Sequence, residues 1–365
     1  MSSSDDTAQA KAKVTSPRSA AKCRGCDAPF GLFRGKCLCV QAEGGCGGAF
    51  CSTCLNYACV TEKEAASQSV AGKVSNFCKP CFQKNSSLDF TVKSEVLGPE
   101  KGSAPSVVLV HGGGGCRKMF VSLARKLAEN NYRAVLIDLP GHGSRMDEKL
   151  SMDSAIQTIL EALTTQAGDW NGRKPMLVGG SLGGYIGMEL LGKHPDSVSG
   201  AVIAVCGQNV GKDRGVAASL GLWGMDWICP KMGAKQLLTG LLAQTKKAGA
   251  KIPAEDLLET CLRTGMFFNQ AHEQIEILRA TSSAEALSKF EGPIWFVNGS
   301  KDHRDSEHKW VKASKNATLT VYEGADHFLS HDERFACRFQ DEVLAFTKEK
   351  VYGIETADVK PTVGT

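Results

Sequence analysis

From Val107 onward the chain alternates between two kinds of segment, and that alternation limits the folds open to it. VVLV, RAVLID, KPMLV, AVIAV, IWFVN and ATLTVY are short, β-rich apolar runs. Between and after them lie MFVSLARKLAEN, SAIQTILEALTTQ, LGGYIGMELLGKH and FACRFQDEVLAFTKEK, with apolar residues at helical spacing. Runs this apolar are buried on both faces, so the pattern predicts an α/β fold, a mostly parallel sheet flanked by helices. Residues 207–291, between the fourth run and the fifth, carry helical patterns such as GAKQLLTGLLAQTKK and AEDLLETCLRTGMFFNQ. An insertion of this kind predicts a helical lid over the mouth of the sheet. Trp223, Trp227, Phe267 and Phe268 would either line an apolar pocket there or form the lid's own small core.

The third run leads through GGSLGG, Gly179 to Gly184, directly into a helical pattern. A strand feeding a helix through G-x-S-x-G is a strained turn that lifts its serine out of the backbone, and Gly179 and Gly183 keep the crowded positions small. Ser181 is therefore the candidate nucleophile. A serine needs a base and a group to orient that base. His327 follows the last apolar run and Asp302 the one before it, which puts both at the carboxyl edge of a parallel sheet, beside Ser181. Asp305 is the rival acid. His303, His308 and His331 read as helical, and His194 closes a helix before Pro195. Acyl chemistry also needs backbone donors for an oxyanion. Leu182, directly after the serine, and Gly113, in the run His111 to Gly115, are the candidates, with Gly114 next and His111 bracing the loop. The glycine run lacks the Lys-Ser/Thr ending of a phosphate loop.

The first 95 residues are a different kind of sequence. Ten of the chain's 15 cysteines fall between Cys23 and Cys81, including Cys23-x-x-Cys26, Cys51-x-x-Cys54 and Cys78-x-x-Cys81. Paired thiolates two residues apart grip Zn²⁺, and eight such ligands make two structural sites. Iron–sulfur binding is the other metal reading. Cys116, Cys206, Cys229, Cys261 and Cys337 are scattered and read as buried free thiols. The net charge of +4 also lies wholly in residues 1–95, which hold 12 Lys/Arg against 8 Asp/Glu. That excess is too small to suggest nucleic acid and suits an anionic membrane surface. Without an apolar leader or a spanning run, the chain reads as cytoplasmic.

From Leu88 to Tyr352 the motifs VHGGGG, DLPGHGSR, GGSLGG, NGSKD and GADHF resemble the α/β-hydrolase superfamily of serine esterases and lipases. The resemblance implies an acyl-enzyme on Ser181, released by water. CGGAFCSTC and FCKPCF resemble the FYVE zinc finger and its cross-braced relatives. That resemblance implies interleaved ligands: Cys23, Cys26, Cys51 and Cys54 on one ion, and Cys46, Cys78, Cys81 and either Cys39 or Cys37 on the other. Glu43 stands where the family has a cysteine, and the basic-His-His-Cys motif that reads phosphoinositide is absent. The expected organisation is a disordered tail over 1–20, a FYVE-like finger over 21–84, a hydrolase domain over 88–352, and a flexible tail over 353–365. The expected function is hydrolysis of a carboxylic ester or thioester of an acyl or lipid-like substrate. No cofactor is expected for catalysis, and the FYVE-like resemblance implies a finger that docks on a phosphoinositide, peripherally on endosomal membranes, or on a protein. Two other classes fit the same residues: a zinc-finger adaptor whose hydrolase fold binds without turnover, and acyl transfer to an acceptor other than water.

Overall fold

The computed structural model describes residues 20–31, 36–39, 45–51, 54–59, 75–228, 234–236, 239, 263–304, 306–330 and 332–354. The six apolar runs form β6 (Ser106–Val110), β7 (Arg133–Ile137), β8 (Met176–Gly180), β9 (Gly200–Ala204), β10 (Ile294–Gly299) and β11 (Ala317–Tyr322). They pair in parallel. A seventh strand outside these six runs, β5 (Ser94–Leu97), adds an antiparallel edge to β7. The sheet therefore has seven strands in the order β11-β10-β9-β8-β6-β7-β5.

Successive side chains of a strand point to opposite faces, and each face of this sheet has its own core. Val108, Val110, Leu177, Ile203 and Phe296 pack on one side with α3 (Met152–Glu161) and α4 (Leu182–Lys193). Val107, Leu109, Val178, Val202 and Trp295 pack on the other with α2 (Val121–Glu129) and α9 (Glu333–Phe346). Each large aliphatic side chain removed from water here contributes roughly 1.5–3 kcal/mol. Helix starts follow their caps. Ser151 and Ser154 form a reciprocal capping box on α3, and the Asp332 carboxylate accepts from Arg334 N at the start of α9.

The insertion contributes α5 (Val216–Ile228), α6 (Ala271–Ala280) and α7 (Ser283–Leu287), and α8 (Glu307–Ala313) follows β10. Most of its two other helical-pattern segments lies outside the described residues. Where AEDLLETCLRTGMFFNQ is described, residues 265–270 are not helical. The four aromatic residues have three fates. Trp223 and Trp227 are exposed on α5, Phe267 is fully buried, and Phe268 lies against Gly114. The two tryptophans are 64% and 58% exposed and so not buried in a lid core. They belong to an outward stripe with Val216 and Leu220, while Leu222 faces the core and Asp226 pairs with Arg279 of α6. No helix among the described residues is long and apolar enough to cross a membrane.

The cysteine-rich segment forms two antiparallel ribbons, β1 (Cys37–Leu38) with β2 (Ala49–Phe50) and β3 (Tyr57–Cys59) with β4 (Ser75–Phe77), followed by α1 (Lys79–Asn85). It packs directly on the larger body. Leu55, Phe77, Phe82 and Leu88 share one apolar cluster with Cys116, Met146 and Phe267.

Candidate active site

The chain leaves β8 and enters α4 through a single residue, Ser181, whose backbone stands at φ 51°, ψ −120°. That positive φ is strained for a residue with a Cβ and is held by its neighbours. Ser181 N donates to Ala204 O at 2.9 Å, and Ser181 O accepts from Gly184 N and Tyr185 N at 2.9 and 3.0 Å. The flanking glycines are required by contact. A Cβ on Gly183 would lie 2.5 Å from the carbonyl oxygens of Val110 and His111, and one on Gly179 would lie 2.6 Å from Gly183 O.

Asp302 and His327 come from the loops after β10 and β11, at the same carboxyl edge. His327 Nε2 lies 3.0 Å from Ser181 Oγ, and His327 Nδ1 lies 2.9 Å from Asp302 Oδ2. A carboxylate only accepts, so Nδ1 carries the proton and Nε2 is free to accept from the serine hydroxyl. The Asp302 side chain is 6% exposed and the His327 side chain 39%, so the acid is sheltered while the imidazole meets solvent. Asp305 and His331 lie outside the described residues. His303 lies in a loop, where the sequence suggests a helix, His308 is in α8, and His194 caps the end of α4.

The glycine run crosses directly above the serine. A Cβ on Gly112 would lie 3.3 Å from Ser181 Cβ, and one on Gly113 would lie 3.7 Å from Leu182 Cβ. Gly113 and Leu182 are thus neighbours, and Leu182 opens α4, where backbone amides have no intrahelical acceptor. Two buried histidines hold this loop. His111 Nδ1 donates to Gly112 O (2.8 Å) while its Nε2 accepts from Leu139 N (3.1 Å). His142 Nδ1 donates to Pro140 O (3.0 Å) while its Nε2 accepts from Gly114 N (3.2 Å). Both rings are therefore neutral. Burial lowers the pKa of each, that of His142 to about 3 with His111 adding to the effect.

Three further side chains support the site, the first of them the residue that opens the DLPGHGSR motif. Asp138 accepts from Arg117 N (2.6 Å), Arg117 Nη1 (2.5 Å) and Ser144 N (3.0 Å), which ties the exit of the glycine run to the DLPGHGS loop. The legible sign was Gly143, at φ +51°, where a Cβ would strike the Asp138 carboxyl. Gln274 of α6 donates through Nε2 to Phe267 O (3.1 Å), which turns its Oε1 toward Gly113. Cys206 donates to Ser181 O at 3.2 Å, and burial, with the Asp302 charge, holds it a neutral thiol. Of the five scattered cysteines, Cys116 and Cys206 are buried free thiols as expected. Cys337 is instead exposed, because it sits on the outer side of α9, and Cys229 and Cys261 lie outside the described residues.

The eight expected metal ligands fall into two sets. The sulfurs of Cys23, Cys26, Cys51 and Cys54 all lie within 4.8 Å of one another, as do those of Cys39, Cys46, Cys78 and Cys81. Cys26–Cys51 and Cys46–Cys78 are each 3.9 Å apart, close to the ~3.8 Å edge of a sulfur tetrahedron around zinc. Cys39, not Cys37, joins the second set. Burial raises the Cys23 thiol, but amides of Cys51 and Gly25 outweigh it and bring its pKa down to about 6. Burial and its three thiol neighbours push Cys54 well up. Four close thiols resist ionising together, and a divalent cation would relieve that repulsion, so the donor sets fit zinc.

Comparison with known proteins covers the larger body. A family model described as "Alpha/beta hydrolase family" matches residues 107–338. A pimeloyl-[acyl-carrier protein] methyl ester esterase of Neisseria meningitidis serogroup A is 28% identical over 266 residues, covering 67% of this chain and 80% of the relative. The protein of that name from Xanthomonas campestris is 26% identical, covering 64% of this chain and 93% of the relative. Among solved structures, MenH from S. aureus aligns with a TM-score of 0.54 at 17% identity, over 71% of this chain and 99% of that one. A thermophilic esterase from Thermogutta terrifontis aligns at 0.53 and 14%, over 71% and 93%. At such identities the two structures speak to the fold alone.

Proposed function

Since the chain belongs to the alpha/beta hydrolase family, we propose that it is a serine hydrolase that cleaves a carboxylic ester or thioester of an acyl, lipid-like substrate. Ser181 Oγ attacks the acyl carbon as His327 Nε2 takes its proton, and Asp302 steadies the imidazolium. The amides of Gly113 and Leu182 receive the oxyanion. Collapse expels the alcohol or thiol, which takes the proton from His327. Water, deprotonated by the same imidazole, then releases the acid and restores the serine. The observation that carries this reading is the hydrogen-bonded line from Ser181 Oγ through His327 to Asp302, at 3.0 and 2.9 Å. The ester-cleaving relatives support the choice of bond. The outward apolar stripe of α5 supports a lipid-like acyl group and a lid role for residues 207–291.

The same reading gives residues 21–84 two structural Zn²⁺ ions, one on Cys23, Cys26, Cys51 and Cys54 and one on Cys39, Cys46, Cys78 and Cys81. The interleaved sets, the two ribbons and the closing helix support a FYVE-like, cross-braced finger. When bound, the ions supply folding energy and no step of the reaction. The deciding experiment is labelling with a fluorophosphonate, read by mass spectrometry, alongside ester turnover. The expected result is one adduct, on Ser181, and none in Ser181→Ala, whose kcat falls by roughly 10⁴-fold or more. Wild-type protein that neither labels nor turns over any acyl ester would favour the adaptor reading.

A further inference from the structure

Residues 263–268 run between the cysteine-rich segment and the glycine run. The cysteine-rich segment holds one side of them. Ser87 N donates to Arg263 O (2.9 Å), Ser86 Oγ to Thr264 O (2.7 Å) and Met266 N to Ala58 O (3.4 Å), and Ala58 and Met266 form an antiparallel bridge. The Phe82 and Phe267 rings meet edge to face with centroids 5.6 Å apart. Gly265, at φ +87°, lies so close to the Phe82 ring and Ala58 O that no Cβ fits.

The other side of the same segment holds the glycine run. Phe267 N donates to Gly114 O at 2.8 Å, Cys116 Sγ to Thr264 Oγ1 at 3.6 Å, and the Phe268 ring covers Gly114. Gly114 N is taken by His142 Nε2, so the two polar groups of this residue are gripped from opposite directions. A glycine run has no side chains of its own to pack and more backbone freedom than any other sequence. An oxyanion donor must nevertheless be held to about 0.5 Å. Its order has to come from outside the loop.

We propose that the cysteine-rich module is a positioning element of the oxyanion loop, with Phe82 and Ala58 acting through Phe267 and Met266 to fix Gly114 and, beside it, the Gly113 amide. The module is then a structural part of the reaction centre. The inference rests on the assignment of Gly113 as an oxyanion donor.

The test uses the full chain carrying Phe82→Leu, which keeps most of the apolar volume, and the milder Ser86→Ala, which removes the bond to Thr264 O and the local one that Ser86 Oγ accepts from Leu88 N. Ester kinetics, hydrogen exchange over residues 111–116 and bound metal are read together. In Phe82→Leu, kcat falls about tenfold, a fraction of the 10²–10³ seen when an oxyanion donor is deleted outright. KM stays within about twofold, exchange over 111–116 rises, and exchange in β8 and metal content stay as in wild type. Ser86→Ala moves kcat and loop exchange the same way by a smaller factor. Unchanged loop exchange in folded Phe82→Leu overturns the proposal, and so does a loosened loop with undiminished kcat. If wild-type protein neither labels at Ser181 nor cleaves esters, the hydrolase reading has failed. The exchange arm still decides whether the module orders the loop.

Discussion

His142 commits both ring nitrogens, one as donor to Pro140 and one as acceptor from Gly114, and only the neutral ring can do both. Its folded pKa of about 3 lies well below the 6.5 of a free imidazole. The unfolded chain therefore takes up this proton at a higher pH than the folded chain does. Stability is full above pH 6.5 and declines as pH falls toward 3, by up to about 1.4 kcal/mol per pH unit for the one proton. Buried His111 adds in the same direction. Replacing His142 with Gln removes its titration, so melting temperature between pH 6.5 and 4 should depend less steeply on pH than in wild type. Parallel slopes would assign the dependence to other groups. Ser181, Asp302 and His327 were legible because each sits at a fixed offset from a strand end. His142 and Gln274 were less so, since an imidazole or amide that supports a loop looks the same in sequence as one at the surface.

Six strands were legible at the scale of the element because apolar runs without polar alternation have few other uses. β5 was not, because a half-exposed edge strand such as SEVL owes its conformation to the ladder with β7 more than to its own residues. The helical pattern running into residues 265–270 misleads for a related reason. Gly265 at positive φ and the bridge from Met266 to Ala58 hold the chain out of helical geometry. In the cysteine module, spacing gave the pairs but left Cys37 and Cys39 equivalent, and the fold brings Cys39 to Cys46, Cys78 and Cys81. Elemental analysis of purified protein should therefore find about two zinc ions per chain. Cys39→Ser should hold about one, and Cys37→Ser should keep both. Equal loss from the two variants would contradict the assignment.

Across the whole molecule, composition suggests a boundary between cysteine-rich and hydrolase sequence, and the structure runs one apolar cluster through it. Phe82 and Phe267 are fully buried against each other, with Cys116 and Met146 alongside. Removing residues 1–86 would expose these faces, and losing the Phe82 ring alone costs about 3–5 kcal/mol in a packed core. The truncated chain should unfold at clearly lower denaturant than the full chain, or aggregate. Equal midpoints would show that the two parts are energetically independent. In the full chain, heat and chelation should each produce a single transition.

The Phe82–Phe267 contact also has a bearing on biosynthesis. The module leaves the ribosome before the hydrolase body, and the ring that seals it is made 185 residues after Phe82. At 5–20 residues per second, that is a wait of roughly 10–40 s. Throughout it, an aromatic surface built for the interior stands in water, so the nascent polypeptide would call on chaperones before its last strands exist.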